Sequence, residues 1–168
     1  RIWSSLTRIA FAFGNNTAWL GGLSFYENLL TAISLTADAK KHTLLAVIPD
    51  SSVYFNSLAR RFDEVHNLPP TRIVEKIRRR VAPVLSAKDA TAWLSPGSAL
   101  SRSLRRAKAD VAFLKEDPLA NFRVPNICWF PDFQYLHMPE MFAPKEMQVY
   151  ARTALNTARF ATRVMLSS

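Results

Sequence analysis

The segment Trp129-Phe130-Pro131-Asp132-Phe133-Gln134-Tyr135-Leu136-His137-Met138-Pro139-Glu140-Met141-Phe142 sets carboxylates, an amide and an imidazole among aromatic side chains. Asp132 is a candidate general base, an orienter of a sugar hydroxyl, or the acceptor of a local turn. His137 is a candidate proton carrier or hydrogen-bond donor to a ligand, set against a structural loop histidine. Glu140 follows a proline and is placed to cap or precede a helix. Phe133, Tyr135, Met138, Met141 and Phe142 either pack the loop onto the domain or line a cleft. Pro131 and Pro139 predict irregular backbone at both positions. Loops that follow a buried strand are common sites of binding and catalysis.

A second candidate is Gly21-Gly22, expected just before a helix N-terminus. Unpaired backbone N–H groups there attract an anion, and absent side chains let it approach. Three of the four glycines lie within residues 14–22. Neither the dinucleotide spacing G-x-G-x-x-G nor a Gly-Lys-Ser/Thr phosphate loop occurs. A tight turn without ligand is the plain alternative. The single cysteine, Cys128, sits among apolar residues and reads as a buried thiol, so no disulfide framework or zinc site is expected. His42 and His66 read as surface residues.

These candidates need a scaffold. Arg8–Phe13, Thr43–Ile48, Asp110–Leu114 and Val124–Phe130 are apolar runs of strand length, with shorter strands expected at Arg72–Val74 and Arg163–Leu166. Helices are expected from Leu23 to Ala37, from Ser51 to Glu64, from Ser98 to Ala107 and from Pro144 to Thr162. Ser24 and Glu27 suggest a capping box for the first. Pro144 suits the first turn of the last, with Met147, Ala151, Ala154, Ala158 and Ala161 on one face. Alternating helices and continuous apolar strands predict one α/β domain, a Rossmann-like doubly wound parallel sheet with helices on both faces. Ligands of such sheets bind beyond the carboxyl ends of the strands, the edge to which both candidates belong.

The chain has 168 residues, ample for one core. Its net charge of +9 is concentrated in residues 60–108, which hold twelve basic and four acidic side chains. Solvated helix faces are one reading of that segment. Attraction to an anionic membrane surface is the other, with Arg78-Arg79-Arg80 beside Ile77 and Val81. Nucleic acid is the less favoured partner, since no stacking-aromatic or recognition-helix pattern accompanies the charge. Glycines at 14, 21 and 22 interrupt the longest uncharged stretch, so a membrane span is not expected. The expected location is cytoplasmic, peripheral at the inner face of the membrane at most.

Together these residues resemble the N-terminal domain of a GT-B glycosyltransferase of the retaining family four, also called group one. Gly21-Gly22 and the helix carrying Leu29-Leu30 are similar to that family's first glycine loop and helix. Asp110-Val111-Ala112-Phe113-Leu114 is similar to the strand before its acceptor loops. Pro125 to Phe142 resembles a bacterial branch reading W-I-P-D-F-Q-H-x-H-L-P-E-F-F, and Val164 to Ser168 its following strand and serine pair.

The resemblance implies transfer of a sugar from a nucleotide-sugar donor to a glycan or lipid-linked acceptor, with no resident cofactor or metal. It implies that Gly21 and Gly22 face the donor phosphates, that Asp132 and His137 are catalytic, and that Phe133, Gln134, Tyr135 and Glu140 line the acceptor cleft. Many relatives carry histidine where this chain has Pro131, and the branch has histidine where this chain has Tyr135. The family's donor domain holds glutamates in the pattern E-x-x-x-x-x-x-x-E, and no glutamate here has another eight positions later. The chain is therefore expected to be the acceptor-side half of a larger enzyme, and inactive alone.

Overall fold

The computed structural model describes residues 6–13, 20–36, 38–48, 58–68, 96–115 and 123–167. Its strands are β1 (Thr7–Ala12), β2 (His42–Ile48), β3 (Glu64–Asn67), β4 (Val111–Lys115), β5 (Asn126–Phe130) and β6 (Arg163–Leu166). They form one parallel sheet in the order β3-β2-β1-β4-β5-β6. The helices are α1 (Leu20–Ser34), α2 (Pro96–Arg106), the one-turn α3 (Gln134–His137) and α4 (Pro144–Phe160). This is the doubly wound α/β architecture, Rossmann-like in strand order, with its switch point between β1 and β4.

Strand alternation divides the core in two. Phe11, Ala46, Phe113 and Trp129 share one cluster with Tyr26 and Leu30 of α1. Ala10, Ala12, Leu45, Val47, Ala112, Leu114 and Cys128 share the other with Leu104 and Ala107 from α2 and its end. The first layer is aromatic, with Phe11 5.4 Å from Phe113 and 5.6 Å from Phe62 between ring centroids. In the second, alanines at positions 10, 12 and 112 bring α2 close to the sheet. Each fully buried large side chain stabilises the fold by about 1.5–3 kcal/mol. Cys128 is fully buried, as its neighbours imply.

Several boundaries differ from expectation. The helix expected at Ser51–Glu64 does not reach Glu64, because a short 3-10 turn at Ala59–Arg61 leads to extended backbone at Phe62. Residues 51–57 lie outside the described region. Glu64 instead opens β3, a polar edge strand of sequence Glu-Val-His-Asn that carries no apolar run. The strand expected at Arg72–Val74 and most of the basic segment, residues 69–95, also lie outside it. The first helix starts at Leu20, so Ser24 and Glu27 sit inside it and form no capping box at its start. In α4, Thr157 is buried while Ala151 and Ala158 are exposed. The inward stripe is thus Met147, Ala154, Thr157 and Ala161, with the exposed Tyr150 at its border stacked on Tyr135, rotated from the alanine face that the sequence suggests.

Arg8 ties the amino end of the sheet together. Its backbone N–H donates to Asp110 Oδ2 at 2.8 Å, its Nε to the Ala107 carbonyl at 3.0 Å, and its Nη2 to Glu64 Oε2 at 2.8 Å. His66 Nε2 lies 3.1 Å from the same Glu64 oxygen, so His66 is a half-buried, partnered residue and not the surface residue expected. His42 is also no plain surface residue, since its Nδ1 is buried. The Arg8 hydrogen bond, and then that from His66, hold the Glu64 carboxyl below its ordinary value of 4.5. A carboxyl lowered in the folded state stabilises the fold above its unfolded pKa, and that contribution is lost as pH falls through the folded value. Urea titrations at stepped pH should therefore show Glu64→Gln with a shallower acid limb than the parent below about pH 4.5. Equal slopes would show that the pair is too solvent-screened to matter.

Candidate functional site

The two candidate segments occupy the carboxyl edge of the sheet. β1 leads through residues 14–19, outside the described region, into α1. β5 leads through Pro131-Asp132-Phe133 into α3. Gly21 and Gly22 do not precede the helix as expected, but lie within its first turn. Neither has positive φ, so backbone freedom is not what these glycines supply. Gly21 is exposed and Gly22 buried. First-turn N–H groups have no intrahelical acceptor, which leaves this turn able to bind an anion.

The 131–142 segment is more regular than its prolines suggest. Asp132 Oδ1 accepts the Gln134 N–H at 3.1 Å, starting α3 through an Asx-type turn. Pro139 then opens a 3-10 turn, Pro139–Met141, because its fixed φ suits a first helical position. Asp132, Gln134, His137 and Glu140 are all exposed. No hydrogen bond reaches the His137 ring among the described residues.

Tyr135 departs from its expected place in a cleft wall. It is 5% exposed and its ring stacks on Tyr150 of α4, with centroids 5.5 Å apart. Phe133 is half-buried against Phe130, at 4.7 Å. These two rings anchor the segment, which presents Asp132, Gln134, His137 and Glu140 to solvent together with the exposed side chains of Leu136, Met138 and Met141. The phenol of Tyr135 and the Phe133 ring act through position, holding the turn against β5 and α4.

One contact that sequence reasoning missed joins the two candidates. Phe25 of α1 stacks on Trp129 at the end of β5, with centroids 3.6 Å apart and planes 15° apart. Tyr26 meets the same indole edge-on at 5.9 Å. The Trp129 Nε1–H donates to Ser167 Oγ at 2.7 Å, linking the indole to the chain just beyond β6. Phe25 falls off the helical stripe Leu23, Tyr26, Leu30, so periodicity gives it no role. It is recruited because α1 packs over β5 as well as β1 and β4. Lys115 is a second unforeseen residue. It ends β4 in register with Trp129, which places a half-buried cation at the same edge.

Among the described residues, no group of three histidine, cysteine or carboxylate side chains is arranged to hold a metal ion. A groove of about 420 Å³ runs along the first turns of α4, lined by Ala143, Lys145, Glu146, Val149 and Tyr150. Among the described residues no helix is long and apolar enough to cross a membrane.

Comparison with known family models, curated proteins and solved structures finds no match for this chain. What fold and site define together is a class: a doubly wound α/β domain with polar side chains and Lys115 at the carboxyl edge of its sheet.

Proposed function

We propose that this chain is the acceptor-side, N-terminal domain of a glycosyltransferase that moves a sugar from a nucleotide-sugar donor to a glycan or lipid-linked acceptor. The observation that carries this reading is the Phe25–Trp129 stack, which fixes the glycine-containing first turn of α1 to the strand that feeds Asp132. An anion at the helix start and a hydroxyl-bearing substrate at the Asp132 turn would then meet at one edge. On this reading the first-turn N–H groups at Gly21 and Gly22 stabilise the leaving diphosphate as its charge develops. Lys115 adds positive potential there. Asp132 and His137 handle the reacting hydroxyl, while Gln134 and Glu140 contact the acceptor. The enzyme works in the cytoplasm.

A nucleoside diphosphate held by one helix turn and a lysine binds weakly. Titration calorimetry should give a dissociation constant of about 1 mM or weaker, which corresponds to roughly 4 kcal/mol. The 168-residue chain alone should transfer no sugar. Submicromolar nucleotide affinity, or turnover by the isolated chain, would overturn this assignment of halves.

One observation favours a second reading, a non-catalytic module for glycan, lipid or protein. Asp132 already has a structural task in its turn, and among the described residues no hydrogen bond orients the His137 ring. The transferase reading requires the Asp132 carboxylate to do more than cap.

A further inference from the structure

The outward face of α4 carries Lys145, Arg152 and Arg159, all exposed and spaced seven residues apart. Seven residues are nearly two helical turns, so the three cations form one line with steps of about 10.5 Å. No ion pair engages any of them among the described residues. From Ala143 to Ser167 the only carboxylate is Glu146, and its Oε2 accepts the Ala143 backbone N–H at 2.9 Å. Large apolar side chains flank this line: Val149, Leu155 and Phe160 are 44%, 48% and 39% exposed. The edge strand β6 follows with Arg163, Val164 and Leu166, also exposed. The opposite edge, β3, shows no such pattern: its exposed residues are Val65 and Asn67 beside a paired carboxylate.

We infer that the α4 face docks on the surface of an anionic lipid bilayer. Cations alternating with apolar side chains suit that partner, because the charges meet headgroup phosphates while Val149, Leu155 and Phe160 enter the boundary of the acyl layer. Nucleic acid would use the cations and leave those apolar side chains without a role. The contact is peripheral and invokes none of residues 69–95. It goes beyond the proposed sugar chemistry and does not depend on it.

The test is sedimentation with phosphatidylglycerol-containing vesicles, against vesicles of phosphatidylcholine alone, across a salt series. The full chain should bind only the anionic vesicles, more weakly as salt rises. Each Lys or Arg near such a surface contributes about fivefold to binding, so the triple variant Lys145→Gln/Arg152→Gln/Arg159→Gln should bind roughly 100-fold more weakly. Thermal melts of the variant should match the parent, since all three replacements are exposed. A second measurement needs no charge change: Gln148→Cys places a thiol on the same face, and a polarity-sensitive dye there should shift to the blue on anionic vesicles. Failure of the parent to bind anionic vesicles would overturn the inference. So would a triple variant that binds like the parent, an unmoved dye in the bound state, or binding to duplex DNA in place of vesicles.

Discussion

Trp129→Ala is expected to destabilise the domain by about 3–5 kcal/mol, the range for truncating a large buried aromatic. The residue is 2% exposed at the end of β5. Three losses act together. The apolar burial goes, and a cavity remains where α1, β4 and β5 converge. The stack on Phe25 and the edge contact with Tyr26 go, each worth about 0.5–1.5 kcal/mol beyond area. The hydrogen bond to Ser167 goes too, contributing about 1 kcal/mol and leaving the hydroxyl on the exposed side, where water replaces the indole. Trp129→Phe should recover most of the packing but not that hydrogen bond. Denaturant titrations of the three proteins, with unchanged m-values, would confirm the ranking. An alanine variant within about 1 kcal/mol of the parent would mean that α1 and β5 are not held together in this way.

The second large effect concerns activity. Asp132→Asn and Asp132→Ala should behave differently in stability and alike in catalysis. Asparagine keeps a side-chain oxygen for the Gln134 N–H, so the Asx turn persists and stability stays within about 0.5 kcal/mol of the parent. Alanine removes the acceptor and should cost about 1 kcal/mol. If the carboxylate accepts a proton from the reacting hydroxyl, both variants lose that role, because an amide oxygen accepts a hydrogen bond but is no base. On the proposed transferase reading, sugar transfer by the whole enzyme should then fall by about 10²–10⁴-fold in kcat for either variant. If the carboxylate only caps α3, asparagine retains full turnover and alanine loses only in proportion to its stability. The Asn variant therefore separates the two roles of Asp132 without reference to fold.

The sheet could be read from the sequence because its central strands are buried on both faces. Ala10 to Ala12, Leu45 to Val47 and Ala112 to Leu114 must be apolar throughout, and such runs stand out. β3 could not be found this way. At an edge it needs no apolar run; Glu64 is held there by Arg8, 56 residues away in the chain, and His66 by Glu64. The rotated stripe of α4 has a related cause. Alanines at 151 and 158 look inward by composition, yet Thr157 is the buried residue of the helix, and Tyr150 at the border of that face stacks on Tyr135.

The site was legible in position and less so in detail. Asp132 and His137 follow a buried strand at the expected edge, since the parallel topology leaves no other edge for them. Tyr135 reads equally well as a cleft residue or an anchor until its burial is known. Phe25 and Lys115 carry no local motif, and their roles arise only when α1, β4 and β5 come together. Gly21 and Gly22 were expected in a loop because glycine so often ends one. In a first helical turn their use is the absence of a side chain.

The most direct measurement is a backbone amide NMR titration of the labelled chain with a nucleoside diphosphate and, separately, with neutral oligosaccharides. The account predicts that the diphosphate shifts the Gly21 and Gly22 amides, with affinity near 1 mM (about 4 kcal/mol), and that a sugar acceptor shifts Gln134, His137 and Glu140. If neither ligand moves these amides at saturating concentration, or the shifts gather at the β3 edge, the carboxyl edge is not a sugar-transfer site and the central claim is wrong.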